Sequence, residues 1–113
     1  MRIYIAGPYS SPDPGGKLAN TNAAIDAGIT LLKAGHAPFI PHLSHFVDRR
    51  ARARGIRIDY EDWMALCFAH LEHCEALLLL ASSPGADREL KFAEAHGLRI
   101  YHSLEAVPPP GEE

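Results

Sequence analysis

Long apolar runs are missing from this sequence. The longest, Ala76 to Ala81, is far short of the roughly 20 residues that span a bilayer. Ile3 to Ala6 is likewise too short for the apolar centre of a secretory signal. A cytoplasmic protein without membrane contact is therefore expected. Cysteine is scarce as well: the two present, Cys67 and Cys74, cannot form a disulfide framework, which fits a reducing compartment and leaves folding to the core alone. Positive charge is in deficit, with 11 Lys and Arg against 14 Asp and Glu and a formal net charge of −3. That balance excludes a globally basic nucleic-acid binder, so nucleic acid is not an expected partner and a polyanion would have to meet a local patch. No G-x-G-x-x-G or G-x-x-x-x-G-K-[ST] occurs, so neither a dinucleotide nor nucleoside triphosphate hydrolysis has its usual support, and no cofactor is expected.

What is present is an ordinary globular composition, 47% apolar and 22% charged over 113 residues, enough for one domain with a modest core. Arg2 to Ala6 is β-branched and aromatic and stops at Gly7-Pro8, which predicts a strand. Ser10 to Lys17, with two prolines and Gly15-Gly16, predicts a loop. From Ala19, apolar residues including Ala24, Ile25, Ile29, Leu31 and Leu32 predict a helix closed by Gly35. Ala37 to Ile40 is a short strand whose Pro38 argues for an edge. Residues 46–59 show no apolar period and predict helix-like turns or loop. Tyr60, Trp63, Met64, Cys67, Leu71 and Cys74 mark a second helix. Ala76 to Leu80 reads as a parallel strand covered on both faces, Pro84 opens a third helix ending at Gly97, and Leu98 to His102 is a last strand. The order predicts an α/β, three-layer flavodoxin-like or Rossmann-like fold, with four or five parallel strands and helices on both faces. The domain is placed at residues 1–103, with 104–113 a polar, Pro-rich tail whose end, Pro108 to Glu113, is too polar and kinked to join the core.

In such sheets ligands bind beyond the carboxyl ends of the strands, where strand order reverses. That rule selects Gly7 to Ser10, Pro41 to His45 and Ser82 to Glu89. Gly7 either lets backbone approach a ligand or serves a turn. Ser83, Pro84 and Gly85 begin a helix whose free N–H groups suit a monophosphate, although Ser83 also fits a plain helix cap. Glu89 lies in the first turns of that helix, where its carboxylate can face the cleft while Leu90 and Ala93 face the sheet. His42 and His45 leave a strand end and are candidates for lining a pocket. Cys67, His70, His73 and Cys74 use metal-ligand residue types without a C-x-x-C or H-E-x-x-H pattern, so no metal site is expected. The cluster Arg49, Arg50, Arg52, Arg54 and Arg57 either attracts phosphates or forms a solvated face.

Taken in order, Tyr4-Ile5-Ala6-Gly7-Pro8-Tyr9-Ser10, Asn20 ahead of a helix ending in Gly35-His36, Pro38 to His45, Trp63, Cys74-Glu75-Ala76-Leu77 and Ser83 to Leu90 resemble the nucleoside 2-deoxyribosyltransferase-like superfamily over nearly the whole domain. The chain looks closest to a short branch of it, and more distantly similar to deoxyribonucleoside 5′-monophosphate N-glycosidases. The resemblance implies a flavodoxin-like sheet and cleavage or transfer of the N-glycosidic bond of a deoxynucleoside or its monophosphate. By position Glu89 would be the nucleophile and Tyr4 the residue orienting it. Ser83 and Gly85 would contact a sugar phosphate, with Gly7 and its neighbours Pro8, Tyr9 and Ser10 in the first loop of the same pocket. One departure stands out: those enzymes usually carry an aspartate where this chain has Cys67, and Asp62 lies about 140° away around the helix. A non-catalytic nucleotide-binding module of the same fold is therefore the alternative. A homodimer or higher homo-oligomer is expected, because relatives complete their pocket from a neighbouring subunit and because Trp63, Met64 and Phe68 exceed what a small sheet can cover.

Overall fold

The computed structural model describes all 113 residues. Strand β1 (Arg2–Ala6) leads into helix α1 (Gly16–Lys33), strand β2 (Ala37–Phe39), a 3-10 turn (Pro41–Leu43), helices α2 (Ser44–Ala53) and α3 (Tyr60–Leu71), strand β3 (Ala76–Leu79), helix α4 (Pro84–Ala95), strand β4 (Arg99–Tyr101) and a second 3-10 turn (Leu104–Ala106). The four strands form one parallel sheet in the order β2-β1-β3-β4. The chain runs outward from β1 to β2, then crosses back to β3 on β1's other side, so the order reverses between β1 and β3. No helix is long and apolar enough to cross a membrane.

Period-two alternation along β1 divides the core. Ile3 and Ile5 point to one face, with Ala76 and Leu78 of β3, and are covered by Ala24, Ala27 and Leu31 of α1. Tyr4 and Ala6 point to the other, with Leu77, and are covered by Leu71 of α3 and by Ala86 and Ala93 of α4. Helix α1 comes so close to the sheet that a Cβ at Gly28 would run into the Ile40 side chain, which explains a glycine in mid-helix despite its propensity cost of about 1 kcal/mol.

Three expectations need correction. Helix α1 starts at Gly16, three residues before the first apolar signal, because Gly15 takes a left-handed φ of 76° that turns the loop into the helix. Residues 44–53 form a complete helix. It buries only His45 and Ala51, so no apolar stripe existed to be read. The packed unit does not end at residue 103: Leu104 and Val107 pack against the α1 face, and the Pro108 carbonyl lies 2.9 Å from His36 Nε2. Smaller shifts affect the ends: α3 stops at Leu71, leaving Cys74 in the connection to β3, and β3 stops at Leu79.

Candidate functional site

The carboxyl ends of β1 and β3 open on a cavity of about 410 Å³, at the reversal of strand order where α/β sheets place ligands. Three walls meet there, from α4, α3 and the β1–α1 loop with α2.

The α4 wall follows from its first residues. Pro84 presets the first helical dihedral, and Ser83 Oγ accepts the Ala86 N–H at 3.1 Å. Ala86, Glu89 and Ala93 then fall at steps of three and four on the buried side of the helix. Glu89 thus sits between two alanines facing the sheet and is 7% exposed, while Leu90 is only half-buried. Beneath it, the Tyr4 hydroxyl donates to Glu89 Oε2. Tyr4 is fully buried, with its ring stacked on Phe39 at 5.5 Å. Burial, and then the Glu89 charge, pushes the Tyr4 phenol far above its ordinary value, so it remains a donor. Burial likewise raises Glu89 to about 7, opposed by the Tyr4 hydrogen bond. The carboxyl is therefore poised to titrate near neutrality.

The α3 wall presents Tyr60, Trp63, Met64 and Cys67 at helical spacing. Its N-terminus is fixed by a capping box in which the Asp59 N–H donates to Asp62 Oδ2 at 3.1 Å. Arg88 of α4 grips Glu61 with two bonds of 3.0 and 3.1 Å, tying the two walls together. Asp62 is committed to the cap and does not line the cavity. Cys67 adjoins the Tyr4 hydroxyl, and its thiol is pushed up by burial and by Glu89, so it is neutral.

The third wall holds the first loop against α2. Asn20 Nδ2 donates to the Tyr9 carbonyl at 3.0 Å, Tyr9 Oη lies 2.9 Å from His45 Nδ1, and Lys17 stands 5.6 Å over the Tyr9 ring. Burial, then the Asp48 charge, raises the Tyr9 phenol. His42 is 5% exposed. Its Nε2 lies 3.1 Å from both the Gly7 and Pro8 carbonyls, which only accept, so the proton is on Nε2. Burial lowers the imidazole's pKa, and its Nδ1 has no partner.

This strand–helix framework, residues 1–102, matches a family described as a domain of unknown function, DUF4406. The chain belongs to the DUF4406 family. No curated protein matches it at a significant level.

In this DUF4406 domain Gly7, Tyr9, Ser10, His42, Ser83, Gly85 and Glu89 all line one cavity. Tyr4, Pro8 and His45 do not; they act one layer back, through Glu89, His42 and Tyr9. His42 and His45 occupy the 3-10 turn and α2, not an open strand end. Ser83 caps α4 and also lines the cavity. Cys67, His70 and Cys74 do not converge: His70 stacks on Phe39 at 4.5 Å, and the Cys74 thiol donates to the His70 carbonyl at 3.6 Å. No group of three or more His, Cys, Asp or Glu could hold a metal ion. Sequence reasoning missed Lys17, Asp48, Arg52 and Trp63 as lining residues. Trp63 is legible as part of the α3 stripe, whose apolar spacing points to the core or an interface and not to a cavity. Met64 is buried, and Phe68 stacks on Phe92 at 4.7 Å. Exposed apolar residues lie on three helices: Ile29 and Leu32 on α1, Phe46 and Val47 on α2, and Tyr60 and Leu66 on α3.

Proposed function

We propose that this domain cleaves or transfers the N-glycosidic bond of a deoxynucleoside or deoxynucleoside 5′-monophosphate, with Glu89 as nucleophile. The observation that carries the reading is a carboxyl buried at the edge of a cavity of about 410 Å³, hydrogen-bonded by a phenol that stays protonated, beside the N-terminus of α4. A sugar phosphate would meet the free N–H groups of that helix and the Ser83 hydroxyl, whose oxygen accepts from Ala86 while its proton remains free to donate.

In the first step the Glu89 carboxylate attacks C1′. A C1′–O bond forms as the C1′–N bond breaks, and the base leaves with the bonding electron pair and takes up a proton. Water or a second base then attacks C1′ and frees the carboxylate. Tyr4 holds Glu89 in place and favours its charged form. His42, neutral and fixed by two carbonyls, holds the first loop in place at the edge of the cavity. Trp63 and Tyr60 give flat apolar area to a base.

Cys67 sets the limit. A neutral thiol with a raised pKa protonates a leaving base poorly, so slow turnover is expected, with the proton drawn from water. The same residue favours a second reading, a nucleotide-binding module without catalysis. Incubating the protein with a panel of deoxynucleosides and their 5′-monophosphates and measuring free base separates the two. Release that disappears in Glu89→Gln supports the enzyme, and equal release by the two proteins overturns the nucleophile. Saturable binding without release, weakened by Ser83→Ala, supports the module.

The proposal includes self-association as a dimer or a multiple of it. Its support is the outer side of α1, where Leu18, Ile25, Ile29 and Leu32 follow each other at steps of seven, four and three and all but the half-buried Ile25 are exposed. A monomeric mass by light scattering at micromolar protein would contradict it.

A further inference from the structure

The charge of this chain is unevenly placed. Between Ser44 and Ile58 lie five arginines against one aspartate, whereas the whole chain carries −3. Within that segment Arg52 pairs with Asp48 at 2.8 Å, and Arg57 with Asp59 at 3.3 Å. Arg49, Arg50 and Arg54 are exposed and make no ion pair. Arg50 and Arg54 are one helical turn apart, about 6 Å along the axis, and Phe46 precedes Arg50 by one turn on the same side of α2. Phe46 is 45% and Val47 57% exposed. Asp48 and Arg52 of the same helix line the cavity, and each lies two residues, about 160°, around the helix from Arg50, so the basic face is the outer side of α2, turned away from the cavity.

We infer that the exposed face of α2 binds single-stranded nucleic acid, with Arg49, Arg50 and Arg54 on backbone phosphates and Phe46 as a stacking surface for a base. A second copy of this chain is a poor occupant, since joining two such faces would oppose their unpaired arginines. An acidic peptide would satisfy the charge but not use an exposed aromatic beside it, whereas single strands are held by this combination of cations and flat rings. The choice of a phosphodiester strand over other polyanions rests on the exposed Phe46 ring set beside the unpaired arginines. The negative remainder of the chain confines such a strand to this face and makes binding strongly salt-dependent.

The test is fluorescence anisotropy of a labelled twelve-nucleotide oligothymidylate titrated with the full chain, with polyglutamate of equal charge as competitor. Three phosphate contacts on a single strand give a log–log salt slope of about −2, a weakening on the order of tenfold to twentyfold between 50 and 200 mM salt. Replacing Arg49, Arg50 and Arg54 together with alanine removes that slope. Phe46→Ala weakens binding about fivefold or more at fixed salt. Absence of saturable binding at 50 mM salt overturns the inference, as does unchanged binding by the triple variant or equal competition by polyglutamate. A thermal melt of the triple variant matching the parent shows that its loss is local. Base release from free deoxynucleoside monophosphates stays at the parent level in that variant. If the parent releases no base yet binds the strand, the function proposed for the cavity fails while the α2 surface stands.

Discussion

Two walls of one cavity are built on different physical terms. The α4 wall rests on the sheet: Ala86, Glu89 and Ala93 are buried, Ser83 caps the helix, and Tyr4 reaches Glu89 from the centre of the core. The α2 wall has two buried residues, His45 and Ala51, and otherwise faces water with arginines and exposed apolar side chains. Groups that perform chemistry need fixed geometry and low dielectric, the conditions found on the first wall. Groups that attract and select ligands tolerate motion and need access to solvent, the conditions found on the second.

The largest effect separating the walls is expected at Glu89. Glu89→Gln should lower base release by roughly 10³-fold or more, the scale on which removal of a nucleophile acts, measured as free base over time. Arg52→Ala on the other wall should alter KM several-fold with kcat nearly unchanged; a fall in kcat like that of Glu89→Gln would erase the distinction between the walls.

The pH dependence sharpens the contrast. Because burial raises Glu89 from its ordinary 4.5 to about 7, the ionised nucleophile accumulates, and kcat should rise, through about pH 7. Stability moves the opposite way. A carboxyl whose pKa is raised by folding favours the folded state while protonated, and that advantage is lost as pH rises from about 4.5 through 7. Glu89→Gln should therefore be more stable than the parent at pH 8 by on the order of 2 to 3 kcal/mol, read as a higher Tm, and close to it at pH 4. Arg52→Ala should show no such pH-dependent gain.

Tyr4→Phe removes the donor but keeps the ring on Phe39. It should raise the pKa of the activity profile further, since the lost hydrogen bond favoured the charged carboxylate, and cost about 1 kcal/mol of stability. Ser83→Ala should cost about 1 kcal/mol through loss of the cap and weaken monophosphate binding more than nucleoside binding. The smallest expected difference is dynamic: amides of α2 should exchange with solvent faster than those of α4 from Glu89 onward. Equal protection would contradict the account of a lightly held wall.

How far the sequence reveals this arrangement follows the same division. β1 and β3 are legible because β-branched and leucine runs end at Gly7-Pro8 and Ser82-Ser83. α4 is legible because Ser83-Pro84 is a start signal and Gly97 a stop. Glu89 is singled out by its place in a strand-end helix and by the family resemblance, whereas its burial on one side with Ala86 and Ala93, in place of Leu90, is seen only in the structure. α2 escapes because its few buried positions, His45 and Ala51, leave no hydrophobic period. Lys17, Asp48 and Arg52 escape with it, since a polar residue on a helix carries no mark of whether a cavity or bulk water lies beside it. Trp63 and Met64 carry a helical period, but period alone does not say whether the stripe meets the core or the cavity. The domain boundary at 103 is misplaced because Leu104 and Val107, only two apolar residues three apart, make too short a pattern to show that they hold the segment to the α1 face.

The central claim is a covalent bond from C1′ of a deoxyribose to Glu89. Mixing the protein with a deoxynucleoside 5′-monophosphate bearing fluorine at C2′, which slows release of the glycosyl group, followed by acid quench, intact-mass spectrometry and peptide mapping, tests it directly. One added sugar phosphate per chain is expected, located on Glu89 and absent from Glu89→Gln. Turnover of the unlabelled substrate with no adduct on Glu89, or an adduct on another residue, would contradict it.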